Sequence, residues 1–338
     1  MSALQQHISL KPYNTFGIQA HAESFVDIQQ ESDLKELLTH LDQEAQEILV
    51  LGGGSNMLFT KDFKGLVIKV SIPGISCVEN GDEVMVTAGA GVVWNDLVNF
   101  CVARGFAGLE NLTLIPGTVG ASPIQNIGAY GVELKDVFNS CRAFELATGK
   151  IVTFNHADCK FGYRESIFKN ELKGKYIITS VTFKLNKQAD VNIQYGAIKN
   201  ELFERNIKQP TIADVSKVVA AIRVSKLPDP STIGNAGSFF KNPVIEGKQF
   251  DELIAKFPEV VHYPAPAGKI KVAAGWLIEQ CGFKGKIVGE TGTWKNQALV
   301  LVNHGKASGQ EVYNFSEQII DSVRAKFGVL LSREVNIF

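Results

Sequence analysis

What the chain lacks narrows its function before any motif is read. No apolar run approaches the ~20 residues a membrane-spanning helix needs, and the opening MSALQQHISLKPYN has no apolar signal-peptide core. The expectation is therefore a cytoplasmic protein, with no membrane partner, whose mature form begins near Met1. Cysteine is scarce: the five thiols, Cys77, Cys101, Cys141, Cys159 and Cys281, are odd in number and scattered, with no CxxC. That pattern suggests neither a disulfide framework nor a zinc site, and predicts reduced, mostly buried thiols. The six histidines never fall at the spacing of about three to five that lets two imidazoles on a helix share an ion, so no metal is expected. An excess of either charge is also missing, since 34 basic residues meet 35 acidic ones for a formal net charge of -1 with no long single-sign block. Nothing here suggests a nucleic-acid or acidic-membrane footprint, and no obligate protein partner is evident. A small-molecule partner remains.

What is present reads as an ordinary globular chain, 45% hydrophobic and 20% charged. Its 338 residues exceed the size at which one core keeps growing, so two or three packed units are expected. Residues 33–42 put Leu34, Leu37, Leu38 and Leu41 on one helical face behind Ser32 as candidate N-cap, and the run 48–51 follows as a strand. Further strands are predicted at 66–70 and 83–87, then a helix whose stripe is Trp94, Leu97, Val98 and Cys101 and which Gly105 can end. Residues 142–146 and 150–154 read as a hairpin, 176–185 as a strand, and 213–224 as a helix capped by Thr211. The prolines and glycines of 226–237 then break regular structure and mark a boundary. Beyond it lie predicted helices at 250–257, 274–281 and 310–327, a strand at 297–302 and a last strand at 329–337. The order is α/β followed by a second, α+β unit.

Two glycine-rich loops carry the first chemical signal. In Leu49-Val-Leu-Gly-Gly-Gly-Ser-Asn56 a strand runs into three glycines, so the chain can turn sharply and bring bare N–H groups against phosphate oxygens, with Ser55 and Asn56 adding side-chain donors. On its own, GGGSN reads first as a strand-ending turn. The second loop, PGTVGASPIQNIGAYG at 116–131, packs four glycines and two prolines with almost no charge. Such a loop suits a pyrophosphate held by backbone amides and a flat ring against Ile127, Ala129 and Tyr130. Neither loop fits GxGxxG or GxxxxGK[ST], which disfavours a Rossmann fold and a P-loop.

Taken together, Asn14-Thr-Phe, GGGSN, PGTVGASPIQNIGAYG, Phe161-Gly-Tyr-Arg-Glu-Ser166 and Gly237-Ser-Phe-Phe-Lys-Asn-Pro243 resemble, in order and over nearly the whole chain, the bacterial UDP-N-acetylenolpyruvoylglucosamine reductases of cell-wall precursor synthesis. The resemblance implies an FAD-binding region of the vanillyl-alcohol-oxidase type made of two α/β subdomains, 1–70 and 71–225, then an α+β substrate-binding domain, 226–328, and a C-terminal strand, 329–338. It implies reduction of an enolpyruvyl ether to a lactyl ether, with FAD bound and NADPH as co-substrate. The flavin would lie on Gly52, Gly53, Gly54, Ser55 and Asn56, on Gly117, Thr118, Val119, Gly120 and Ser122, and on Gly128, Tyr130 and Gly131. Tyr195, in the inserted segment 192–198, marks the longer family type, in which a tyrosine-bearing loop covers the substrate.

Hydride added to the β-carbon of an enolpyruvyl group pushes charge onto the carboxylate, so cationic and hydrogen-bonding groups are needed there. Arg164 of FGYRES resembles the family's arginine for this task, and a guanidinium suits a carboxylate because its planar donors bind both oxygens. Glu334 matches the family's C-terminal glutamate, useful as a protonated donor if partial burial raises its pKa. Arg333 stands where the family usually has proline. Ser238 matches the family's proton donor to the α-carbon, a weak acid that needs close placement; taken alone it reads as a turn residue. For the nucleotide-sugar the resemblance points to Tyr195, Lys226, Asn242, Tyr263, Lys284 and Gln297, the looser positions of Tyr263 and Lys284 being open to a solvated-surface reading. Two other readings stand at this point: a flavin oxidase of the same fold, and a non-catalytic nucleotide-sugar binding protein.

Overall fold

The computed structural model describes residues 3–39, 47–188 and 190–338. Most predicted elements form. The hairpin is Phe138–Glu145 with Ile151–Asn155, the helix behind Thr211 runs Ile212–Lys226, and the long helix runs Gly309–Phe327. Thr211 caps as expected: its hydroxyl accepts from the Asp214 N–H at 3.2 Å, and the Asp214 carboxylate accepts from the Thr211 N–H at 3.0 Å.

The first helix is Glu31–Leu38, and its N-cap is Gln30, not Ser32, because the Asp33 carboxylate accepts the N–H groups of both Gln29 (2.9 Å) and Gln30 (3.2 Å). Residues 40–42 of the predicted helix, with Leu41, lie outside the described residues. The segment around Tyr195 is not simply a loop, since Gly196–Glu204 is a helix. The region predicted to be irregular between 226 and 237 is irregular only in its middle, with Lys226 ending a helix and Gly234–Ser238 forming a strand. The last strand shrinks to Asn336–Ile337, paired in parallel with Met57–Leu58. Val329, Leu331 and Val335 are buried and alternate with exposed Leu330 and Ser332, the period-2 pattern of a strand, but beyond Asn336–Ile337 the only pairing among the described residues is one bridge, Phe240 to Arg333.

The chain divides into two compact units: 1–8, 22–53 and 64–223 in one, and 9–21, 54–63 and 224–338 in the other. The first unit contains a sheet ordered Gln5–Ser9, His21–Ile28, Phe63–Val70, Glu47–Leu51 and an antiparallel sheet ordered Ile151–Asn155, Phe138–Glu145, Tyr176–Asn186, Glu83–Gly89, Ile75–Asn80. Val26, Leu34, Leu66, Ile68, Phe144 and Ile177 form one buried cluster drawn from both sheets, which is why residues on either side of position 70 belong to one compact body. The larger core lies on the antiparallel sheet under Trp94–Ala103, with the Trp94 indole N–H donating to the Leu112 carbonyl at 2.9 Å. A third cluster joins Gly196–Glu204 to Ile212–Lys226 through Ile198, Leu202, Val215, Val218 and Val219.

The second unit builds an antiparallel sheet ordered Gly234–Ser238, Gln297–Asn303, Thr291–Trp294, Ile287–Val288, against which Ala274–Gln280 and Gly309–Phe327 pack. Asn14 is buried here and spends its amide locally, donating to the carbonyls of Leu10 (2.8 Å) and Ile18 (3.0 Å). All five cysteines are free; Cys101, Cys141 and Cys159 are buried, and burial pushes the Cys101 thiol up to about 12. A thiol held protonated in this way is chemically inert.

Candidate active site

The two glycine loops lie against each other. In the first unit, a Cβ on Gly53 would stand 2.7 Å from the Gly117 Cα, and one on Gly52 would stand 2.6 Å from the Thr118 Oγ1, so the loops run against each other backbone to backbone. A Cβ on Gly120 would meet the Ala90 Cβ at 2.5 Å. Thr118 is 7% exposed, and its hydroxyl finds no hydrogen-bond partner among the described residues. In the second unit Gly54, at φ 63, would press a Cβ to 1.9 Å from the Tyr13 carbonyl oxygen. The 116–131 loop is far from slack. Val119–Ala121 is a 3-10 turn whose Val119 carbonyl accepts the Ser122 hydroxyl at 2.7 Å. Gly128–Ala129 and Val132–Glu133 then form a hairpin whose tip, Tyr130 (φ 51) and Gly131 (φ 84), has the two positive φ angles of a type I′ turn. Ile127 and Ala129 pack on the large core.

FGYRES is stitched to this loop. Gly162 and Glu165 exchange both backbone hydrogen bonds (3.0 and 3.2 Å), which leaves Tyr163 and Arg164 at the tip of a two-residue turn, with Arg164 at φ 55. The half-buried guanidinium of Arg164 donates to the carbonyl of Gly128 at 2.7 Å. Asn126, fully buried, donates to the Gly162 carbonyl at 3.0 Å, and the Ser166 hydroxyl donates to the Ile124 carbonyl at 2.6 Å. Three separate bonds thus hold the arginine turn to the glycine loop. Arg223, on Ile212–Lys226, donates to the Tyr130 hydroxyl. Burial disfavours its charge, Tyr130 offsets part of that, and the Arg164 guanidinium adds repulsion. Burial likewise pushes the Tyr130 phenol pKa up. Neither Asn126 nor Arg223 is distinguishable in the sequence, since an asparagine in a loop and an arginine near a helix end are commonplace.

In the second unit, the segments that carry Ser238 and Glu334 are joined by backbone bonds. Gly234–Ser238 pairs with Gln297–Asn303 through a bulge between Asn235 and Ser238, where Gly237 has φ 69 and its N–H donates to the Asn235 amide oxygen at 3.0 Å. The bulge re-aims the strand end and leaves the Ser238 side chain exposed. The Glu334 N–H donates to the Phe239 carbonyl at 2.8 Å, placing the half-buried glutamate opposite Phe239, the residue after Ser238. Phe239 and Phe240 are buried and serve as the anchor. Asn56 of GGGSN also reaches the C-terminal segment, donating from its amide to the Glu334 carbonyl at 3.4 Å and accepting from the Asn336 N–H at 3.2 Å.

The six nucleotide-sugar candidates are scattered in character. Tyr195 is the N-cap of Gly196–Glu204 and meets Tyr130 edge to face, 5.3 Å between centroids. The Asn242 amide oxygen accepts from the Ala274 N–H at 3.0 Å, and the Gln297 side-chain oxygen lies 3.1 Å from a Cβ built on Gly275, so both stand at the start of Ala274–Gln280. Lys226 is exposed at its helix end and Tyr263 is exposed, 5.7 Å from the Lys271 ammonium. Lys284 sits in an exposed ion pair with Glu279 at 2.9 Å. No group of three His, Cys, Asp or Glu side chains among the described residues is placed to hold a metal.

With this geometry in view, comparison with known proteins is decisive. The family model described as FAD binding domain matches residues 22–155, and that described as UDP-N-acetylenolpyruvoylglucosamine reductase, C-terminal domain, matches 229–338. The UDP-N-acetylenolpyruvoylglucosamine reductase of Flavobacterium johnsoniae is 50% identical over 99% of both chains. The chain belongs to the UDP-N-acetylenolpyruvoylglucosamine reductase family. Members named so from Chromobacterium violaceum and Pseudomonas aeruginosa are 48% and 47% identical, covering 97% and 99% of this chain. The crystal structure of the reductase from Thermus caldophilus superposes with a TM-score of 0.68 over 99% of this chain and all of its own at 22% identity, which shows the shared fold, an α/β region followed by an α+β region. The residues present fit the flavin of a family with an FAD-binding domain. The buried Thr118 hydroxyl, without a partner among the described residues, lies where the two loops run against each other and can meet a phosphate oxygen.

Proposed function

We propose that this chain reduces the enolpyruvyl ether of a UDP-N-acetylglucosamine derivative to UDP-N-acetylmuramate, with NADPH as reductant, in peptidoglycan precursor synthesis. It is an FAD-dependent oxidoreductase acting on a CH–CH bond. When bound, FAD supplies the two-electron carrier between NADPH and the enolpyruvyl β-carbon. The chain's own residues do the rest. The loops of Gly52 to Asn56 and Gly117 to Gly131 hold the dinucleotide through backbone amides and the hydroxyls of Ser55 and Thr118, while the Ser122 hydroxyl shapes the second loop by donating to the Val119 carbonyl. Arg164 takes the substrate carboxylate and stabilises the charge that develops on it, a task for which a pinned guanidinium needs no reorganisation. Glu334 serves the same enolate, and Ser238 gives its hydroxyl proton to the α-carbon. Lys226, Asn242, Tyr263, Lys284 and Gln297 bind the nucleotide-sugar, and Tyr195 covers it. By role, 1–70 and 71–225 are the flavin half and 226–328 the substrate half, with Glu334 delivered by the C-terminal segment. No described helix is long and apolar enough to cross a membrane, and a nucleotide-sugar and NADPH are cytoplasmic reactants, which supports that location.

The observation that carries the reading is the bond from the Glu334 N–H to the Phe239 carbonyl: in a chain half identical to named reductases, it draws together the two chain segments that carry Ser238 and Glu334. The test is a visible spectrum of purified protein, anaerobic bleaching by NADPH, and recolouring by the enolpyruvyl UDP-sugar. Ser238→Ala is expected to bleach normally and recolour slower by orders of magnitude. Bleached protein that recolours with oxygen but not with the enolpyruvyl compound would make it an oxidase, and colourless protein a binder.

A further inference from the structure

Tyr195 has a built seat. Its ring meets Tyr130 at 5.3 Å and 89°, and Tyr130 is at the tip of the glycine-loop hairpin. The Tyr130 ring packs on the small core between Gly196–Glu204 and Ile212–Lys226, and its hydroxyl accepts from Arg223 on the second of those helices. Beneath them, buried Asn111 donates from one amide to the carbonyls of Tyr130 (3.3 Å) and Asn192 (2.8 Å), which pins the glycine loop and the start of the tyrosine-bearing segment to one point. Tyr130 also holds φ 51, a conformation that a bulky residue keeps only where its surroundings over-determine it.

We infer that Arg223 is a positioning residue for Tyr195: by gripping the Tyr130 hydroxyl it fixes the ring on which Tyr195 rests, and so presets segment 192–198 for closing over the nucleotide-sugar. The inference rests on the function proposed above. Tyr130 meets Tyr195 and the small core through its ring and Arg223 through its hydroxyl, so the Arg223 contact can be removed with the ring packing kept. Arg223→Met keeps the packed stem and removes the donors, whereas Tyr130→Phe keeps the ring and removes the acceptor.

Amide hydrogen exchange of 192–198 in the purified holoenzyme without substrate is expected to speed up about tenfold in either variant, the factor for loss of one hydrogen bond to a charged group. The KM for the enolpyruvyl UDP-sugar should rise by a similar factor, and in Arg223→Met bleaching by NADPH keeps its rate. Arg223→Lys should recover part of both effects, and the double variant should be no worse than either single one. If Arg223→Met does not fold, Tyr130→Phe carries the test. Unchanged exchange and KM in Tyr130→Phe would overturn the inference, as would an equal loss in bleaching and recolouring in Arg223→Met. A wild-type protein that never recolours would instead refute the proposed function, with the exchange result still deciding whether Arg223 holds the segment.

Discussion

Thr118→Val should act in opposite directions on the free and the flavin-loaded protein. Thr118 is 7% exposed, its hydroxyl has no partner among the described residues, and its backbone, at φ -119 and ψ 159, is extended, a conformation valine favours. Valine replaces the hydroxyl by a methyl of nearly the same volume, so packing is kept and only the polarity is lost. An unsatisfied buried hydroxyl costs about 1–3 kcal/mol, so flavin-free Thr118→Val is expected to be more stable by about 1 kcal/mol or more, a rise in Tm of about 2–4 °C for a domain of this size. If the hydroxyl is kept polar to meet a phosphate oxygen, the same change removes a bond to a charged group, about 1.5–3 kcal/mol, and weakens FAD binding by about one to two orders of magnitude. Thermal melts with and without saturating FAD, and a flavin-fluorescence titration, read both signs. A variant that gains no stability when flavin-free, yet binds FAD as tightly as wild type, would refute the assignment of Thr118 to the flavin.

Gly53→Ala brings a methyl to 2.7 Å from the Gly117 Cα, with backbone on both sides and no side chain to move; it is expected to lower flavin content per chain and to cost about 1–3 kcal/mol in melts, and full occupancy would show that the seam is loose. Asn126→Ala removes the bonds to the Gly162 carbonyl and from the Lys135 N–H and leaves alanine at φ 46; a loss of about 2–4 kcal/mol in urea is expected, and one under about 1 kcal/mol would refute its role as the stitch. The Arg142 guanidinium holds the Glu31 carboxyl below its ordinary pKa, with the Thr179 hydroxyl assisting. The folded pKa lies below the unfolded one, so the stabilisation is complete above about pH 5 and fades as pH falls through the folded value; Glu31→Gln should cost about 1 kcal/mol at pH 7 and progressively less as the pH is lowered below about 4, and a pH-independent gap would contradict this. Arg333→Pro should leave turnover within about threefold and lower Tm by no more than a few degrees, since it loses a partly exposed ion pair; loss of activity with the fold intact would show that the residue-333 N–H is needed.

Elements were legible where local signals agreed. The helix Gly309–Phe327 announces both ends, with Ser308 accepting from the Glu311 N–H at 3.2 Å and Gly328 at φ 67 closing it. Gly196–Glu204 announces neither: only Ile198 and Leu202 point inward, Phe203 is 83% exposed, and the helix is held by a core shared with Ile212–Lys226, which no local pattern reveals. The strand expected at 329–337 failed for the converse reason, since alternate burial of Val329, Leu331 and Val335 reports two environments, not a partner strand. At the site, motifs pointed to residues whose chemistry is intrinsic, Arg164 and Ser238, and missed those that act by holding others, Asn126 and Arg223, because holding depends on chain segments far apart in sequence.

Arg333 shows how backbone geometry can make a departure from a family's pattern harmless. The bridge between Phe240 and Arg333 is carried by the Lys241 N–H to the Ser332 carbonyl (2.9 Å) and the Glu334 N–H to the Phe239 carbonyl (2.8 Å). Neither bond uses the N–H of residue 333, so a proline there removes nothing from the pairing that sets Glu334 opposite Phe239. The arginine uses its freedom differently: its guanidinium pairs with Glu317 at 2.7 Å, donates to the Ser316 hydroxyl at 2.8 Å and lies 4.4 Å over the Tyr313 ring, fastening the C-terminal segment to Gly309–Phe327. Proline stiffens that segment through its own ring, and arginine ties it down through a neighbouring helix. Both keep the backbone that presents the glutamate, so position 333 can vary while the Glu334 N–H stays bonded to Phe239.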